Sequence, residues 1–211
     1  MTETTEAKPR PTTGLPTANH LPGDGAIWVM VLGDLIIFGS YFLIFMVHRT
    51  MAPQEFLEAQ QHLNLNIGVL NTLVLLTSSW FVARSVVAAR GGDYTAAVRL
   101  TYLGGACGAL FIGLKAYEWW REATQGFSLG GSPSEEFFNF YYMLTGVHLF
   151  HVSLGLLIMG IVVRELRRPR RRIGHSNPLR PRMSMIESGA TYWHMVDLLW
   201  VVIFGLLYVM R

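Results

Sequence analysis

Cysteine is almost absent from this 211-residue chain, and the single one, Cys107, lies inside an apolar run. That excludes a disulfide framework and any CxxC metal motif. Charge is scarce as well: 15% of residues are charged, against about a quarter in an ordinary soluble domain. No stretch near the start has the apolar core of a secretory signal. The first 24 residues are polar, with prolines at 9, 11, 16 and 22, and read as a disordered cytoplasmic tail. No GxSxG element, Cys–His arrangement or Walker loop is present, so nucleophilic catalysis and nucleotide hydrolysis have no support.

What the chain has is apolar length. Hydrophobic residues make up 51% of it, gathered into runs. Crossing the hydrocarbon core takes about 20 apolar residues at about 1.5 Å each. Five segments qualify: Ala26–Val47, Leu65–Ala83, Leu100–Trp120, Phe137–Val163 and Ser188–Met210. Continuous runs of this length mean helices, because only helices and closed barrels satisfy their backbone groups in lipid. The buried helices of a large soluble protein are seldom this long or this numerous. The sequence therefore predicts an all-α fold, a polytopic membrane bundle with one five-helix domain over residues 25–211.

The basic residues predict an orientation. Of 17 Lys and Arg, one side holds Lys8 and Arg10, then Arg84, Arg90 and Arg99, then Arg164, Arg167, Arg168, Arg170, Arg171, Arg172, Arg180 and Arg182. Only Arg49, Arg121 and Arg211 fall on the other. The positive-inside rule puts the amino terminus and loops two and four in the cytoplasm, and the carboxyl terminus outside. The arginine-rich fourth loop reads as an anchor facing anionic headgroups rather than a nucleic-acid patch. Gly104 and Gly108 form a GxxxG in the third span, a spacing that lets helix backbones approach closely.

An ionisable residue within a span costs about 2.5–3.5 kcal/mol on insertion scales, so it normally faces protein and finds a partner. Asp34 shares a stripe with Tyr41 and His48 on the first span. Lys115 and Glu118 are three apart on the third and can pair directly. His148 and His151 share a face of the fourth near Thr145. His194 and Asp197 share a face of the fifth, between Trp193 and Trp200. Three readings stand. Histidines three apart suggest a metal or haem, but no HExxH or ExxH spacing accompanies them. Asp34, Glu118, His148 and His194 together suggest a proton relay in an autonomous proton-coupled transporter, although matched broken helices are missing. The third reading is structural: the groups pair across the bundle, or bind lipid headgroups, and lock its packing.

At these positions the sequence resembles subunit III of the haem–copper terminal oxidases. TGVHLFHV (Thr145–Val152) resembles the family's TGxHxxHV element, and YWHMVDLLWVVIFGLLY (Tyr192–Tyr208) its final-helix WHxVDxxW signature. KAYEWW (Lys115–Trp120) is similar to its Q-x-x-E-Y segment, and LGDLIIFGSYF (Leu32–Phe42) to its S-E-x-x-F-F stretch. The four recur in order across most of the chain. The resemblance implies a seven-helix fold without its first two helices, a five-helix variant found in the family. It implies a non-catalytic accessory subunit in a prokaryotic plasma membrane, with no cofactor of its own. Haem and copper (or haem and non-haem iron) would belong to the partner catalytic subunit, and phospholipid would bind among the helices. It further implies support of the partner's stability and proton uptake. Asp34 and Glu118 would stand for the family's carboxylates, and His148, His151, His194 and Asp197 for its polar core. Asp34 is one methylene shorter than the family's Glu. Lys115 replaces a neutral Gln, a charge that Glu118 can balance. The opening LPGDGAIWVMVLGDL is similar to a branch associated with nitric oxide reductases.

Overall fold

A computed structural model describes residues 25–126, 135–167 and 182–210. The predicted tail (1–24) and most of the fourth-loop arginines, from Arg168 to Arg180, lie outside the described residues. Among the described residues there are helices and no strands. In chain order they are α1 (Gly25–Met51), α2 (Pro53–His62), α3 (Leu65–Arg90), α4 (Tyr94–Thr124), α5 (Glu135–Leu166) and α6 (Met183–Phe204). A π-helical turn, Gly205–Val209, closes α6. Five of these helices, all but α2, are long and apolar enough to cross a membrane.

The helices overrun the apolar segments that predict them. α3 continues to Arg90 and α4 begins at Tyr94, because an arginine such as Arg84 ends the apolar run without ending the helical hydrogen-bond ladder. The turn between them is tight. Gly92 takes φ +82°, a left-handed conformation that favours glycine. Asp93 then caps α4 by accepting from the Ala96 N–H at 2.9 Å. α2 has no counterpart among the predicted spans, since its ten residues are too short and too polar to register as one. It lays Phe56, Ala59 and Gln60 inward, with the Phe56 ring edge-on to Phe45 and Phe137.

α3 and α4 form the most extensive helix pair. Their buried residues explain why. α3 buries Gly68, Asn71, Leu75, Ser78, Val82, Ser85 and Ala89. α4 buries Ala97, Thr101, Gly104, Gly108, Phe111, Lys115, Glu118 and Glu122. Both series alternate steps of three and four, the 3.5-residue period of left-handed supercoiled pairs. Many of the seam residues are small, which matters in lipid, where close packing rather than hydrophobicity drives association.

The GxxxG pair divides its work. A Cβ on Gly104 would meet Val82 at 2.9 Å, so this glycine brings α3 and α4 together. A Cβ on Gly108 would meet the Trp193 ring at 2.6 Å, and one on Gly155 of α5 would meet it at 2.7 Å. The indole of α6 therefore fills a slot cut by glycines from two helices. α6 is accordingly the central helix, with Trp193, Trp200 and Tyr192 all buried. α1 is peripheral and turns Val29, Leu32, Ile36, Ile37 and Leu43 outward.

Candidate functional site: the buried polar core

The inward stripe of α4 carries Lys115, Glu118 and Glu122, all fully buried. Lys115 Nζ has three N–H groups to place, and each finds an oxygen. It donates to Glu118 Oε2 at 2.9 Å, to the Tyr208 hydroxyl at 2.8 Å and to the Tyr141 hydroxyl at 3.1 Å. The Tyr208 hydroxyl in turn donates to Glu118 Oε1 at 2.6 Å. Both carboxylate oxygens are thus occupied. The ammonium also sits 4.5 Å from the Tyr141 ring centroid and 5.3 Å from that of Trp200, within cation–π range. The cluster answers the burial problem: each charge has an opposite charge and a hydroxyl, so neither is stranded. One turn on, Glu122 accepts from Arg121 at 2.7 Å, while its second oxygen has no partner.

Asp34 and His151 join α1 to α5, with Oδ2 and Nε2 3.6 Å apart. His151 Nδ1 lies 2.8 Å from the Val147 carbonyl. A carbonyl can only accept, so Nδ1 donates to Val147 and Nε2 is the atom that faces Asp34. At 3.6 Å the two atoms are within ion-pair range but beyond a hydrogen bond. The Asp34 stripe also positions His48, which lies 3.3 Å from Glu136 in a solvent-exposed pair. Between the two His–carboxylate contacts runs an apolar groove lined by Ile37, Phe38, Tyr41, Met143, Leu144 and Val147.

His148 and His151, three residues apart, go to different neighbours. His148 is fully buried, edge-on to Phe111 and tilted against Trp200, and neither of its nitrogens has a hydrogen-bond partner. Across the bundle, His194 Nδ1 is 2.6 Å from Ser79 Oγ on α3. Asp197 lies near that same hydroxyl, and neither of its carboxylate oxygens has a hydrogen-bond partner. One hydroxyl has one proton, so Ser79 can donate to His194 or to Asp197 but not to both. The tryptophans of α6 are tied as well: Trp193 donates to Ser78 and Trp200 to Thr72, each at 3.0 Å.

The predicted site residues therefore form separate stations and no single centre. Lys115 meets Glu118, Asp34 meets His151, and His194 and Asp197 meet at Ser79. Among the described residues, no three His, Cys, Asp or Glu side chains are grouped so as to hold a metal. Sequence reasoning did not single out Glu122, Tyr141 or Tyr208. Glu122 was within reach, lying at the next step of the stripe that carries Lys115 and Glu118. The tyrosines were not, because they are distant in the chain.

The chain matches the sequence profile of the family described as cytochrome c oxidase subunit III over residues 24–211. Among curated proteins it is 31% identical over 183 residues to cytochrome c oxidase subunit 3 of Thermostichus vulcanus, covering 86% of this chain and 84% of the relative. A probable cytochrome c oxidase subunit 3 of Nocardia farcinica is 28% identical over 185 residues, covering 88% and 85%. Quinol oxidase subunit 3 of Bacillus spizizenii is 29% identical over 190 residues, covering 87% and 84%.

Proposed function

The chain belongs to the cytochrome c oxidase subunit III family, and we propose that it is a non-catalytic accessory subunit of a respiratory haem–copper oxidase in a prokaryotic plasma membrane. The match over residues 24–211 carries this reading, since it spans all five helices. The site geometry supports it. The Lys115–Glu118 cluster is closed upon itself, and the remaining polar stations are spread over different helix seams. Haem and copper belong to the partner catalytic subunit. Relatives bear the names of both cytochrome c and quinol oxidases, so the electron donor stays open. The nitric oxide reductase reading rests on the opening LPGDGAIWVMVLGDL alone and stands second.

The amino terminus and loops two and four face the cytoplasm in this reading. Moving the lone cysteine to position 170 then gives a site labelled only from the cytoplasm, and one at 132 a site labelled only from outside. The reverse pattern overturns the orientation. Phospholipid binds among the helices, and the apolar groove between α1 and α5 is the right chemistry for an acyl chain.

Asp34 carries the proposed proton-supporting role, because it is a carboxylate within the first span that faces an imidazole nitrogen, His151 Nε2, across a helix seam. Asp34→Asn should leave haem content and the initial oxygen-reduction rate of the assembled enzyme nearly intact. It should reduce proton uptake at alkaline pH or shorten active lifetime over many turnovers. Progress curves on the purified complex, with haem spectra before and after, measure this. Immediate loss of all activity with normal assembly contradicts a supporting role, and failure to assemble moves Asp34 to packing.

A further inference from the structure

α6 ends in a turn that the rest of the helix does not anticipate. Its inward face is set by Trp193 and Trp200, seven residues apart, both fully buried. The same interval reaches Leu207 next. Over Gly205–Val209, however, the ladder loosens from i+4 to i+5 bonding, with the Met210 N–H on the Gly205 carbonyl at 3.0 Å. A π-turn takes up one extra residue, and each residue of an α-helix corresponds to about 100° of rotation. Leu207 and Tyr208 are both buried within this turn, and the Tyr208 hydroxyl reaches both Glu118 and Lys115.

Two residues elsewhere pack against this turn. Gln60 is fully buried on α2. Its Nε2 donates to the Leu206 carbonyl at 3.0 Å and the Leu207 carbonyl at 3.3 Å, two groups inside the π-turn. Gly68 on α3 lies against the tyrosine: a Cβ there would stand 2.8 Å from the Tyr208 ring. We infer that Tyr208 is a positioning residue for the Lys115–Glu118 pair, held in place by the π-turn that Gln60 clamps and Gly68 makes room for. The short helix α2, which is not itself a span, is thereby tied to an ion pair inside the bundle. π-turns recur at functional sites, and this one carries the side chain that donates to the carboxylate.

The inference concerns this chain alone and does not depend on which complex the chain joins. Its test is the infrared carboxylate band of Glu118 in the purified protein, assigned by its loss in the Lys115→Gln/Glu118→Gln double variant. Tyr208→Phe removes one of the two donors to Glu118 and should shift the band. Gln60→Leu leaves the tyrosine in the sequence but frees the turn, and should shift the band in the same direction. The Gln60→Leu/Tyr208→Phe combination should shift it no further than Tyr208→Phe alone. Gly68→Ala presses on the ring without touching Gln60, so it provides a second route to the same shift if Gln60→Leu fails to fold. A wild-type band in the folded Gln60→Leu or Gly68→Ala protein, where Tyr208→Phe moves it, overturns the inference. So does a double-variant shift equal to the sum of the two single ones.

Discussion

Replacing Glu118 by Gln should destabilise the protein by roughly 3–5 kcal/mol, the usual cost of stranding one partner of a buried ion pair. The ammonium of Lys115 would keep its two tyrosine hydroxyls but lose the carboxylate that accepts from it at 2.9 Å. The new amide fits poorly. With its NH2 toward Lys115 two donors face each other, and with its NH2 toward Tyr208 it loses the hydroxyl that donates at 2.6 Å. Lys115→Gln should be milder. A glutamine there can donate to Glu118, which retains Tyr208, and it recreates the residue usual in the family. Combining both changes removes both charges and should recover much of the Glu118→Gln loss. The readout is a double-mutant cycle on unfolding in detergent or bilayer. Strictly additive losses mean that the two side chains do not interact.

Gly155→Leu is the second large effect, and its cause is steric. The slot that holds Trp193 is already filled: Gly108 and Gly155 approach the indole from opposite helices. Even a methyl on Gly155 would sit 2.7 Å from the ring, and a rigid indole cannot fold out of the way. Trp193 is also tethered through its N–H to Ser78. Overpacking of this kind costs typically about 1–3 kcal/mol, occasionally more. Trimming the indole in Gly155→Leu/Trp193→Leu should return part of the loss, since the new side chain then occupies the vacated volume. A Gly155→Leu protein with an unchanged unfolding midpoint contradicts the slot. Gly160, by contrast, has open space around its Cβ position, and Gly160→Leu serves as the control that should be tolerated.

The five spans were legible because hydrophobic length is a one-dimensional signal, and lipid permits only one backbone solution for it. The Lys115–Glu118 pair was legible for a similar reason, since i,i+3 proximity follows from helix geometry alone. Contacts between helices were not. His148 and His151 do lie close around the helix, yet one points into Phe111 and Trp200 while the other reaches α1. The choice between those neighbours is made by tertiary packing. Tyr208 was hidden by its distance from Glu118 in the chain, since it sits on another helix 90 residues away. The GxxxG motif was visible, but that Gly108 serves Trp193 rather than α3 could not be read from spacing. The family motifs drew attention to these residues without saying which would meet.

An oxidase subunit and an autonomous transporter differ most plainly in what purifies with them. The most direct measurement is purification of the tagged protein from its native membranes under mild detergent, followed by an optical haem spectrum and an oxygen-consumption assay. As an oxidase subunit, the chain brings down a haem-containing catalytic subunit with oxygen-reducing activity, and the isolated chain shows neither haem nor transport in liposomes. A chain that purifies alone without haem, and moves protons with a solute across a liposome membrane, would contradict it and establish the transporter instead.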